Sequence, residues 1–340
     1  MSRVAKFWER ETDGVRCTLC PHACLIKEGQ VGLCKVRGVR DGKLLSFVYG
    51  RPASVVSDEI EKKPFFHFHP GTRALSLGTL GCNVLCSGCQ NWQISHAGAS
   101  RGEADLLAPL SPSKALAMAQ RFRLAGVVWT YNEPAVWLEY VHDVAEVFRR
   151  AGLYTALVTA GYMSSDAFDY VAPLLDAVKV DLKAATAEGW AWLTKVKNPQ
   201  PALDLAVRAL SKHHCHVEIV SNLVPGLNTD DTAVVAMAEW IRDALGPKIP
   251  WHVTRFLPDF ELSYLTPTPL ATLERAVTLG RQAGLEFVYV GNVPGHSSRH
   301  TVCPRCSRTV IHREDPGATE VRVKDGHCIF CGEDLMVVGQ

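Results

Sequence analysis

An α/β protein built on a parallel sheet, closed or partly open as a barrel, with a small cysteine-rich extension at each end, is what this chain of 340 residues predicts. Three observations carry the prediction. From Thr72 to about Asn292, short apolar runs alternate with longer helical patterns, the signature of parallel strands joined by crossover helices. Eleven of the twelve cysteines fall into three groups. Polar residues recur at the C-terminal end of nearly every predicted strand, where such barrels collect their chemistry.

The N-terminal extension, residues 1–71, holds Cys17, Cys20, Cys24 and Cys34 within CTLCPHACLIKEGQVGLC. Gaps of two, three and nine residues suit either a tetrathiolate zinc or an auxiliary iron–sulfur cluster, and both readings stay open. Gly29 and Gly32 suit a loop folded around a metal. His22 reads as a neighbour of the thiols.

The core, residues 72–292, is expected to carry strands at Arg73–Gly78, Gly126–Thr130, Tyr154–Thr159, Ala177–Asp181, His216–Val220, Trp251–Phe256 and Phe287–Val290. Helices are expected at Pro112–Ala125, Ala135–Ala151, Ser165–Leu175, Ala202–Lys212, Asp230–Leu245 and Pro269–Ala283. Ser111 before Pro112, Ser164 with Ser165, and Thr229 with Asp230 supply N-cap chemistry. Gly126, Gly152 and Gly284 stand where helix C-caps belong. Cys215, in the strand-like HVEIV region, reads as packing.

The third unit, residues 293–340, reads as a zinc ribbon. Cys303 and Cys306 (CPRC) are followed 21 residues later by Cys328 and Cys331 (CIFC), and each pair can take one edge of a tetrahedron. A small cluster, or donation of a fourth ligand elsewhere, are the other readings of this group. The connecting GNVPGHSSRH, Gly291 to His300, is either a linker or a substrate contact through His296.

The first predicted strand runs straight into LGTLGCNVLCSGCQN, which places Cys82, Cys86 and Cys89 inside eight residues. Zinc closes with four protein ligands, and three thiols cannot pair as disulfides. Three thiolates on an iron–sulfur cube leave one iron free for another molecule. The other strand ends supply Asn132 and Glu133, Thr159, Asp181 and Lys183, Asn222, and His252 with Arg255 as candidate polar groups.

Composition narrows the function. Thirty-six basic against thirty-five acidic residues give no net field for a polyanion, so nucleic acid is not expected as a partner. No apolar run approaches the ~20 residues that span a bilayer, and the charged N-terminus lacks a secretory signal. A cytoplasmic location is therefore expected, where clustered cysteines point to metal.

The trio has the CxxxCxxC form of the radical S-adenosylmethionine enzymes. The GCN before the second cysteine, the CxN that follows from the third, and LVPG (Leu223 to Gly226) with Asp230 and Asp231 resemble pyruvate formate-lyase activating enzyme and related activases. CTLCPHAC, TYNEP and VGNVPGH are similar to the AmmeMemoRadiSam system radical S-adenosylmethionine enzymes over nearly the whole chain. The resemblance implies a partial (β/α)6-type TIM barrel of the radical SAM type. It implies a [4Fe–4S] cluster on Cys82, Cys86 and Cys89, with S-adenosylmethionine on the fourth iron. Glu133 would meet the methionyl ammonium, and Lys183, oriented by Asp181, the carboxylate. A flavodoxin or ferredoxin would donate electrons, and proteins of the AmmeMemoRadiSam system would be partners. This chain departs from the activases at Val158, where they carry aspartate, and at Phe260, where they carry histidine. Hydrogen abstraction from a small-molecule or peptidyl substrate is the expected reaction. Activation of a glycyl-radical enzyme is an alternative, and a zinc-ribbon adaptor protein is an alternative of another class.

Overall fold

The computed structural model describes residues 2–100, 102–315 and 317–339. Its centre is a sheet of eight strands: β1 (Ser54–Glu59), β2 (Arg73–Gly78), β3 (Gly126–Trp129), β4 (Tyr154–Thr159), β5 (Ala177–Asp181), β6 (His216–Leu223), β7 (Trp251–Arg255) and β8 (Val288–Gly291). They lie side by side in chain order, from β1 at one edge to β8 at the other, so the barrel is partly open. Strands β2 to β8 are parallel, with Ala74 opposite Gly126 and Trp251 opposite Val288. Only β1 runs antiparallel, pairing Ser54 with Gly78 and Glu59 with Arg73.

Helices cover the outside: α1 (Pro112–Arg121), α2 (Leu138–Arg150), α3 (Ser165–Val171), α4 (Ala187–Thr194), α5 (Gln200–Ser211), α6 (Asp231–Leu245) and α7 (Leu270–Gln282). In α2, Leu138, Val141, Val144, Ala145 and Phe148 recur at helical spacing and are buried against the sheet. Strands covered on both faces read as continuous apolar runs, and all four residues of β3 are buried. The caps form at Ser111, Ser164 and Asp230, whose side chains accept the N–H of Lys114, Ala167 and Ala233. Gly126 is not a C-cap. Arg123 takes the left-handed turn, at φ 54°, and Gly126 opens β3, where a Cβ would lie 2.1 Å from the Tyr154 ring. The helix start expected at Ala135 begins as a 3-10 turn, Pro134–Trp137.

Both ends of the chain dock on this frame. Near the N-terminus, two three-stranded antiparallel sheets form, and buried Arg37 pairs with Glu139 of α2 at 2.9 Å. Towards the C-terminus a third three-stranded antiparallel sheet forms from Thr301–Val302, Thr309–Glu314 and Gly317–Val321, with the hairpin Val323–Lys324 and His327–Cys328 beyond it. This unit sits under the N-terminal ends of the strands, where buried Arg313 donates to the Phe66 carbonyl at 2.6 Å. No helix among the described residues is long and apolar enough to cross a membrane.

Candidate active site

Parallel strands bring their C-terminal ends to one rim, and the loop leaving β2 carries the cysteine trio across it. Cys82, Cys86 and Cys89 line a cavity of about 410 Å³ together with Asn132, Glu133, Thr159, Asp181, Lys183 and Asn222. The loop is braced from two sides: Ser87 N–H donates to Leu193 of α4 at 2.8 Å, and its carbonyl accepts from Glu261 at 3.0 Å. Asn132 is engaged in this bracing. Its Nδ2 donates to the Gly81 carbonyl at 2.6 Å, and its Oδ1 accepts from Thr79 N–H at 3.1 Å.

Glu133 is buried, and its oxygens accept from the Thr159 hydroxyl at 2.6 Å and the Ala160 N–H at 2.5 Å. Burial pushes its carboxyl up to about 6, against the pull of these two donors. A carboxylate held so gains strongly from an incoming cation. Across the cavity, Asp181 is shared: Lys183 Nζ lies 3.0 Å from Oδ2, and Lys179 Nζ lies 3.1 Å from Oδ1. Burial works to lower the Lys183 ammonium, but the Asp181 carboxylate and the Cys86 thiol together hold it above its ordinary range. Burial likewise pushes the Cys86 thiol up to about 11, with Lys183 opposing.

Two expected residues lie elsewhere, for reasons of strand geometry. His252 is the second residue of β7, at the closed end of the barrel, where its Nε2 bonds Glu218 at 2.7 Å. Arg255 is at the correct end but points outward, its Nε donating to the Thr268 carbonyl at 2.9 Å. Side chains alternate along a strand, so Thr254 and Phe256 face the cavity instead. Lys179 was legible by the same rule, standing two residues before Asp181. His296 is also outside the cavity, its Nδ1 accepting from Ser298 N–H at 3.1 Å; Asn292 of the same segment lines it. Phe260 stacks on Trp92 with ring centres 5.3 Å apart. Cys215 is buried away from all three cysteine groups, with its thiol toward the Leu175 carbonyl.

At the C-terminal end, Cys303 and Cys331 sulfurs are 3.6 Å apart and those of Cys306 and Cys328 3.8 Å. All four lie within 4.8 Å of one another, a set that could hold one metal ion. Cys17, Cys20, Cys24 and Cys34 line a separate small cavity behind the trio loop. All twelve cysteines are free of disulfides.

The radical SAM superfamily model matches residues 77–241, from the end of β2 into α6. Along its length the chain is 35% identical over 339 residues, 99% of each, to the uncharacterized protein MJ0808 of Methanocaldococcus jannaschii. The chain belongs to the radical SAM superfamily. The fold agrees: a radical SAM methyltransferase from Sphaerobacter thermophilus superposes with a TM-score of 0.51 at 17% identity, covering 66% of this chain and 67% of that one. SuiB of Streptococcus suis, in its S-adenosylmethionine-bound form, gives 0.50 at 13% identity over 64% and 52%.

A radical SAM chain is an enzyme, and membership implies a [4Fe–4S] cluster and S-adenosylmethionine. The donor set fits. Three free thiols converge on one cavity without the tight mutual approach of the C-terminal four. Beside them the cavity offers the buried Glu133 carboxylate and the half-buried Lys183 ammonium, the two charges a zwitterionic methionyl group needs.

Proposed function

We propose that this enzyme reductively cleaves S-adenosylmethionine and uses the resulting radical to abstract hydrogen from a small polar substrate. The supporting observation is the shared cavity, in which Cys82, Cys86 and Cys89 face Glu133, Asp181 and Lys183. Cys82, Cys86 and Cys89 would hold the cluster, whose chemistry would be one-electron reduction of the sulfonium to methionine and a 5′-deoxyadenosyl radical. The remaining roles belong to the chain. Glu133 receives the methionyl ammonium, held in place by Thr159 and Ala160. Lys183, oriented by Asp181, meets the carboxylate by a charge-assisted contact. Asn132 fixes the approach of the trio loop, and Asn222 with Thr254 lines the wall opposite.

A small substrate is favoured over the backbone glycine of a partner enzyme by the polar lining of the cavity. Buried Lys63 and Lys179 contribute to it, with Lys63 2.7 Å from Asp58, a lining suited to a small anionic or hydroxylated molecule. An activase role, with a glycyl-radical partner, is the second reading. The zinc-ribbon adaptor reading leaves the trio without a purpose and does not suit a member of an enzyme superfamily.

We assign zinc to the C-terminal thiols. With Zn–S bonds of about 2.3 Å, a tetrahedral edge is about 3.8 Å. The two sulfur pairs stand at 3.6 and 3.8 Å. A cytoplasmic setting, with flavodoxin or ferredoxin as donor and proteins of the AmmeMemoRadiSam system as partners, completes the reading. The test is anaerobic turnover with S-adenosylmethionine and a low-potential reductant. Formation of 5′-deoxyadenosine that is lost in Cys86→Ala supports it; its absence from reconstituted wild type overturns it. Deuterium transfer from labelled candidates into 5′-deoxyadenosine then identifies the substrate.

A further inference from the structure

Behind the trio loop lies a second set of cysteines that the radical chemistry does not require. Cys17, Cys20, Cys24 and Cys34 surround a cavity of about 20 Å³, lined also by Leu19, Ile26 and Val136, each almost fully buried. That volume exceeds the ~10–15 Å³ that a single water-sized body needs. A single zinc would instead draw four sulfurs to edges of about 3.8 Å and leave no such space. The chain contains an internal standard for that case. Among the described residues, only Cys303, Cys306, Cys328 and Cys331 bring three or more ligand atoms within 4.8 Å of one another. The N-terminal four do not, and neither do Cys82, Cys86 and Cys89, so the N-terminal set shares the open spacing of the trio.

Two residues of its lining carry a buried polar atom without a protein partner. Arg37 is fully buried; its terminal nitrogens bond Glu139 and the Lys6 carbonyl, which leaves its Nε without a partner. Asn83 is 2% exposed, and its Oδ1 is likewise unpartnered. An orphaned buried N–H is costly, and sulfide or thiolate at the centre of the cavity would accept it. Arg37 with Glu139 is neutral as a pair, so the donor adds a dipole without inviting solvent.

The two cysteine centres abut. Asn83 follows Cys82 directly and lines the N-terminal cavity; its carbonyl accepts from His22 Nε2 at 2.8 Å. Gly81, at φ 78°, has no room for a side chain, since a Cβ would stand 2.4 Å from the Cys34 carbonyl. The loop that bears Cys82 is therefore pressed against the loop that bears Cys34.

We propose that Cys17, Cys20, Cys24 and Cys34 hold a second iron–sulfur cluster, packed against the back of the Cys82 loop through Asn83, in place of a zinc ion. A polynuclear centre accounts together for the open sulfur spacing, the residual space and the buried Arg37 donor.

The experiment compares reconstituted wild type with a variant in which Cys82, Cys86 and Cys89 are all serine, leaving the N-terminal set untouched. Iron, zinc and acid-labile sulfide are measured per chain in both. The expectation is about eight irons in wild type and about four, with matching sulfide, in the variant. No iron in the variant and about two zinc ions per chain overturns the proposal. Equal iron in wild type and variant would support this site while removing the trio's own cluster, so the two assignments fail separately. Should the triple variant not fold, wild type decides: about four irons with about two zinc ions overturns the proposal.

Discussion

Lys183 and Lys179 hold their ammonium groups on opposite oxygens of the single carboxylate of Asp181, at 3.0 and 3.1 Å. Three charges share one wall of the cavity with a net charge of one positive, which is what a carboxylate ligand would find. Asp181→Asn leaves two ammonium groups facing each other. The cost to stability is expected at about 2–3 kcal/mol, less than for a fully enclosed pair because the cavity hydrates the carboxylate. Lys183→Met removes the outer ammonium alone. S-adenosylmethionine binding should weaken about tenfold or more, and equilibrium dialysis of the reconstituted protein measures it.

Glu133 offers a second, separable contact. In Glu133→Gln the amide oxygen can still accept from the Ala160 N–H, while the Thr159 hydroxyl meets an amide N–H2 in place of its acceptor, and the charge is gone. The expected result is a loss of about 1.5–3 kcal/mol in S-adenosylmethionine affinity. Unfolding stability without ligand should be unchanged or higher, since burial already opposes the carboxylate. A variant that binds normally would show that the methionyl ammonium lies elsewhere.

The order and type of the core strands were legible because apolar runs and helical periods alternate cleanly from β2 to β8. Two elements were not. Strand β1 reads SVVSDE, with Val55 and Val56 exposed at 39% and 41%, so neither face of this edge strand carries a hydrophobic signal. Helix α4 reads AEGWAWLT, eight residues with a glycine inside, too short and too broken to register as a period. At the site, nearness to a strand end found Glu133, Asp181 and Lys183. It misplaced Arg255, where the pleat turns the side chain out, and it passed over Thr254 and Phe256, which the pleat turns in. His252 and Glu218 were invisible as a pair because their meeting depends on register between β6 and β7, with Val220 opposite His252. The three cysteine groups could be counted from the sequence, but the difference between tight and open spacing exists only in three dimensions.

The C-terminal thiols should behave as a structural site. Cys303 and Cys328 are buried in a small core with Phe66, Phe287 and Tyr289, so a metal held there would tie this unit to the closed end of the barrel. Cys331→Ser is expected to release about one zinc per chain and to lower the melting temperature, while leaving the iron content unchanged. Metal analysis and calorimetry on the same preparation check both halves. Loss of iron in this variant would mean that the C-terminal set supplies a ligand to a cluster.

Beneath the barrel, burial keeps one histidine neutral. His67 Nδ1 lies 2.7 Å from the Leu335 carbonyl, which can only accept, so Nδ1 carries the proton. Nε2 must then accept from the Tyr289 hydroxyl at 2.6 Å, and Tyr289 in turn accepts from Thr301 at 2.9 Å. Thr301 is free to donate because it accepts from Arg313 at 2.8 Å. Burial pushes the His67 imidazole down to about 3, and the nearby Arg313 charge adds to this against the pull of Glu218. The unfolded chain takes up a proton near pH 6.5, whereas the fold resists it until about 3. Stability from this group is therefore complete above about pH 6.5 and is lost as pH falls, by about 2 kcal/mol at pH 5. Glu218 adds nothing in that window: burial would raise its carboxyl, but His216 and His252 hold it well below the usual range. His67→Gln should cost about 1–3 kcal/mol at pH 8 and flatten the slope between pH 6.5 and 5. Urea unfolding of wild type and variant at pH 8, 6.5 and 5 measures the difference, in which metal lability common to both chains cancels. A variant that keeps the wild-type slope would move the titrating group away from His67.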